Sequence, residues 1–161
     1  MTSRTTQLSG YRKMALELLF AERNHICSVC VSSGHCEIQS LAQEHGVTSV
    51  RYPYRFPKLT PDTSQTRYVF DPNRCVLCAS CVRTFAEIEG AHVWEVAGRG
   101  IASGPVSELQ RPWCEAASCT SCVKCVQACP TGAIAEKGWA AEEMSKDRSV
   151  VSTLNTMREG Q

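Results

Sequence analysis

The cysteines constrain this chain more than any other feature. Eleven occur in 161 residues, and ten fall into three tight runs: Cys27-x2-Cys30-x5-Cys36, Cys75-x2-Cys78-x2-Cys81 and Cys119-x2-Cys122-x2-Cys125-x3-Cys129-Pro130. The last run has the spacing with which bacterial proteins hold [4Fe–4S] clusters, where the Cys before Pro ligates the neighbouring cluster of a two-cluster pair. A fold for this chain must gather loops around inorganic iron and sulfide. The chemistry indicated is one-electron transfer.

The rival uses of cysteine fit less well. Disulfides belong to oxidising compartments, but residues 1–10 are polar and lack the apolar core of a secretory signal. An odd number of thiols also cannot pair completely. Without export the expected compartment is the cytoplasm. Structural zinc takes Cys-x2-Cys pairs set a dozen or more residues apart, so a third Cys three residues beyond a pair is redundant for a tetrahedral ion. The 17 basic and 16 acidic residues leave a net charge of +1, with no nucleic-acid footprint. No run approaches the roughly 18 apolar residues of a membrane span. Aromatic residues are only 7% of the chain, and a small core of this kind usually needs a metal staple coupled to folding.

Residues 11–24 predict an amphipathic helix with Ser9 as N-cap and Tyr11, Met14, Ala15, Leu18 and Leu19 on its apolar side. A second helix is expected from Cys36 to His45, closed by Gly46, with Ile38, Leu41 and Ala42 packing back on the first. Pro53, Pro57 and Pro61 force the residues before them into extended geometry. The segment from Tyr52 to Ser64 therefore reads as a linker between residues 1–58 and 59–161. Beyond it Arg74–Val82 repeats as Ser118–Val126, each a ligand loop feeding a short helix. The first of these helices should end near Gly90, and a strand over 91–96 should lead into the turn at Gly98-Arg99-Gly100. A final helix is expected over 140–158, with Met144, Val150, Val151, Leu154 and Met157 on its apolar side, packed on its own core or docked on a partner subunit. The fold class is α+β: a small helical His/Cys iron–sulfur domain, then a ferredoxin-like domain of the 2[4Fe–4S] type.

Three ligand sets follow. Cys75, Cys78 and Cys81 with Cys129 make a complete set of soft thiolates. Cys119, Cys122 and Cys125 lack their fourth member, because the position four residues after Cys81 is Phe85. Cys114 completes that set, or the cluster is [3Fe–4S] or takes a non-protein ligand, or the site is empty. Cys27, Cys30 and Cys36 also number only three. His25, two residues before Cys27, is the expected fourth ligand, since imidazole replaces thiolate in some clusters and raises their potential. His35 is the fallback, while His45 and His92 read as structural.

The runs Leu18–Cys30, Arg51–Lys58, Glu89–Gly100 and Cys129–Ile134 carry a more specific signal. They resemble the small diaphorase subunit of NAD(P)-linked bidirectional nickel–iron hydrogenases over about residues 11–158. The resemblance implies a cytoplasmic, non-catalytic iron–sulfur subunit. It would relay electrons between a flavin-containing subunit that handles NAD(P)H and a nickel–iron hydrogenase module. The chain is also similar to the N-terminal part of the large iron–sulfur subunit of complex I and of NAD-dependent formate dehydrogenases. A stand-alone ferredoxin and a zinc-stabilised interaction module are the other readings. Both related families usually begin with a plant-type [2Fe–2S] domain; no Cys-x4-Cys-x2-Cys run occurs here, so no [2Fe–2S] cluster is expected. Complex I subunits place the ligand His where this chain has Arg23, whereas the hydrogenase type carries Asn-His-x-Cys as here. Phe85 matches complex I, whose equivalent loop also lacks that Cys and forms one cluster with the Cys before Pro-Thr-Gly. No Gly-rich dinucleotide fingerprint is present, so the nicotinamide and flavin belong to partners.

Overall fold

A computed structural model describes residues 5–143 and 146–159. Helix α1 spans Thr6–Glu22 and is capped by Thr5, whose hydroxyl accepts the Leu8 amide proton at 3.2 Å. The start is thus earlier than the sequence suggested, and Ser9 lies inside the helix. Its packed face also differs. Leu16, Glu17 and Ala21 are buried, while Tyr11, Met14 and Leu18 are exposed. The reason is a buried charge. The Glu17 carboxylate accepts from Arg51 Nε at 2.8 and 3.1 Å, so the helix turns its acidic residue inward against a partner that periodicity alone cannot see.

Helix α2 (Glu37–Glu44) follows the first cysteine run and ends at His45 and Gly46. Ile38 and Ala42 are buried as expected, but Leu41 is exposed. Leu16, Cys36 and Ile38 form a small core, with Leu19, Phe20, Val47 and Val76 packed against it. The Pro-rich segment carries no helix, yet it is strapped down. Arg55 N–H donates to Ala21 O at 2.9 Å, Asn24 Nδ2 to Pro57 O at 2.8 Å, and Asp62 bridges Phe70.

Strand β1 (Tyr68–Phe70) pairs antiparallel with β4 (Ile134–Glu136) in the register Tyr68↔Glu136, Val69↔Ala135 and Phe70↔Ile134. Strand β1 precedes the Cys75 loop and β4 follows Cys129. Their pairing therefore closes the chain so that the last cysteine returns to the first loop. Strands β2 (Trp94–Ala97) and β3 (Gly104–Ser107) form a hairpin. Gly98 is required at its turn, since a Cβ there would collide with the Ala102 carbonyl. The strand expected from residue 91 begins at Trp94 instead.

Helix α3 (Ser80–Arg83) continues as a π-helical stretch over Thr84–Glu89, closed by Gly90 at φ +65°. Helix α4 is short (Lys124–Ala128). The final helix, α5, runs Ser149–Glu159 rather than from residue 140; only a 3₁₀ turn occupies Ala141–Glu143, and Met144 lies outside the described residues. Leu154 is buried in the core while Met157 is exposed, and Arg83 Nη2 ties the Leu154 carbonyl at 3.2 Å. The larger core is aromatic: Trp94 and Trp113 meet edge to face at 4.9 Å, Tyr68 stacks on Trp113 at 5.8 Å, and Phe70 meets Trp94 at 5.1 Å.

Candidate metal centres

The two repeated cysteine loops share an unusual backbone. Leu77 and Ala79 have φ of +54° and +56°, and the equivalent Ser121 and Val123 have +53° and +65°. Each left-handed non-glycine residue costs about 1–2 kcal/mol. Strain repeated at matching positions marks a loop wound for a purpose. It turns amides toward the interior, as when Leu77 N–H points at Cys75 Sγ at 3.4 Å.

Inside the first loop lies a cavity of about 260 Å³ lined by Cys75, Cys78, Cys81 and Cys129, with Phe70, Pro105 and Ile134 among its apolar walls. The four thiols of the complete set thus face one space. Burial pushes the Cys75 thiol up to about 11 and Cys81 well above its ordinary value, because an apolar wall penalises the thiolate. Thiols held in this way ionise when a metal supplies the compensating charge. The residues present fit an iron–sulfur cluster: the donor set is soft, and three of its members, Cys75, Cys81 and Cys129, are buried while Cys78 stands at the exposed side.

His25, Cys27, Cys30 and Cys36 line a second, narrower pocket with Arg74, Thr131 and Gly132. His25 Nε2 is buried with no hydrogen-bond partner, which leaves this ring nitrogen unsatisfied in the protein alone. Burial, with help from Arg23 and Arg74, lowers its pKa to about 4, so the ring is neutral near pH 7. Burial raises both Cys27 and Cys36. His35 is exposed and lies outside this pocket.

The third set is less complete. Cys125 is deeply buried, and its thiol is pushed up by burial first and then by Cys122, Cys119 and Cys129. Phe85 is buried in the same core as Cys125. Cys114 is exposed, with its amide held by Ser64 Oγ at 3.0 Å; it is not the buried small thiol that a lone Cys usually makes. Among the described residues, no three His, Cys, Asp or Glu side chains converge tightly enough for a single metal ion.

Sequence reasoning missed the residues between the first two pockets. Thr131 lines both, donates to Arg74 O at 2.7 Å and lies 3.7 Å from Cys129 Sγ. Lys146 Nζ donates to Cys129 O at 2.8 Å and to Thr131 O at 2.6 Å. Glu37 N–H reaches back to Pro130 O at 2.9 Å. Only the adjacency of Thr131 and Gly132 to Cys-Pro hinted at this; nothing near Lys146 in the chain marks it.

Known proteins resemble this chain along most of its length. Residues 12–51 match the NADH-ubiquinone oxidoreductase-G iron–sulfur binding region. The chain is 32% identical over 132 residues to the NAD-reducing hydrogenase HoxS subunit gamma of Cupriavidus necator, covering 81% of this chain and 56% of that protein. It is 31% identical over 144 residues to the NADPH-Fe(3+) oxidoreductase subunit alpha of Geobacter sulfurreducens, covering 85% of this chain and 16% of that protein. Among solved structures, the crystal structure of an NAD+-reducing [NiFe]-hydrogenase in the H2-reduced state matches with a TM-score of 0.79 at 36% identity, covering 84% of this chain and 58% of that one. The chain therefore spans little more than half of these hydrogenase relatives.

Proposed function

We propose, from its kinship with the gamma subunit of an NAD-reducing hydrogenase, that this chain is an iron–sulfur electron relay in the cytoplasm. It would stand between a flavin-containing subunit that oxidises or reduces NAD(P)H and a nickel–iron hydrogenase module. The observation that carries the proposal is the placement of Cys75, Cys78, Cys81 and Cys129 around one apolar cavity. A second pocket containing His25, Cys27, Cys30 and Cys36 shares the Thr131 wall.

A [4Fe–4S] cluster bound by either set would accept and release one electron at a time. The chain's own residues do the rest. Cys75, Cys78, Cys81 and Cys129 hold one cluster, and His25 completes the set begun by Cys27, Cys30 and Cys36. Phe70, Pro105 and Ile134 give the first cavity apolar walls, and burial and hydrogen bonds to sulfur would set the potential. Cys119, Cys122 and Cys125 are read as a third site, completed by Cys114, held as [3Fe–4S], or left without a cluster.

The loop repeat and the β1–β4 pairing support a ferredoxin-like arrangement for residues 59–161. The small core around Leu16, Cys36 and Ile38, on which Val76 of the second half also packs, belongs to the helical unit proposed for residues 1–58. Iron, acid-labile sulfide and zinc per chain, measured on anaerobically purified protein, test the proposal. About eight irons correspond to the two complete sets and about twelve to three. Zinc without iron overturns the electron-relay reading.

A further inference from the structure

The segment between β4 and α5 delivers one cation into the space between the two complete ligand sets. Lys146 Nζ donates to the carbonyls of Cys129 and Thr131 at 2.8 and 2.6 Å. Burial lowers the Lys146 pKa, and the neighbouring Cys129, Cys36 and Cys30 thiols oppose that shift. Cys129 belongs to one set, and Cys30 and Cys36 to the other. Thr131, the second residue clamped, forms a wall of both pockets.

We propose that Lys146 is a positioning residue shared by the two clusters, fixing the Cys129–Thr131 turn between them and raising the potential of both. This rests on the electron-relay reading above. A largely buried positive charge favours each added electron far more than an exposed one, because little solvent screens it. The two hydrogen bonds fix where that charge stands. Arg148, two residues on, pairs with Glu37 at the N-terminus of α2, and Leu154 of α5 is buried against the core. The anchoring of α5 and the siting of the cation are therefore one structural event.

The test is a redox titration, followed by electron paramagnetic resonance, of the full chain with its clusters, comparing K146M, K146Q and K146R with wild type. Iron content serves as the folding control. K146M and K146Q should keep their iron yet bind the reducing electron about tenfold less tightly, which is about 59 mV more negative for a one-electron couple. K146R should stay near wild type. Unchanged potentials in K146M and K146Q at full iron content overturn the proposal. So does loss of iron in both with normal behaviour of K146R, which assigns Lys146 to folding alone. Wild-type protein without iron would instead sink the electron-relay reading, so the two failures are distinguishable.

Discussion

Gly132 lies directly against Cys30: a Cβ at position 132 would stand 2.7 Å from the Cys30 sulfur and 3.1 Å from Ser32 Oγ. The Cys-Pro-Thr-Gly turn of the second half is thus pressed into the first cysteine loop with no room for one methyl group. Gly132→Ala should displace Cys30 and cost the His25 pocket its cluster while sparing the other. Iron should fall by about four per chain. Full iron content in this variant would contradict the contact.

Imidazole ligation by His25 predicts an asymmetric response to substitution. His25→Cys should retain iron but shift one cluster to a more negative potential, since thiolate donates more electron density than imidazole. His25→Ala should lose that cluster or render it labile. A redox titration that leaves every midpoint in place for His25→Cys would show that Nε2 is not a ligand.

Cys114 and Phe85 separate the readings of the third site. Because Cys114 is exposed, Cys114→Ser should leave iron content unchanged. Phe85→Cys restores the fourth thiol of the repeat and should add about four irons per chain if the site is otherwise empty. Loss of iron in Cys114→Ser would make Cys114 the fourth ligand after all.

Leu154 buries its side chain under α5. Leu154→Ala should cost about 2–5 kcal/mol and release the helix before the rest of the chain unfolds. Hydrogen exchange on residues 149–159, compared with wild type, reads this directly. Unaltered protection there would mean that the helix is held by something other than this residue.

Removal of iron should unfold much of the chain, because the cavity of Cys75, Cys78, Cys81 and Cys129 has apolar walls and nothing else to fill it. Circular dichroism during anaerobic chelation, followed by reconstitution with iron and sulfide, checks the coupling. A spectrum that survives chelation would show that the hydrophobic core suffices.

The cysteine spacing by itself named the candidate ligand sets, since ligation depends on which donors a short loop can present and how far apart they are. The repeat of two loops feeding short helices was legible for the same reason, as were the glycine turns at Gly46, Gly90 and Gly98. What the tertiary structure alone decided depends on contacts distant in sequence. The inward face of α1 follows from Arg51 meeting Glu17 across 34 residues, which no periodicity encodes. The return of Cys129 to the first loop has its physical cause in the β1–β4 pairing. The close fit of Gly132 on Cys30 and the clamp of Lys146 on Cys129 join residues with no local signature. Loop chemistry is written in the chain, whereas the position of one ligand set relative to another arises only when separate segments pack.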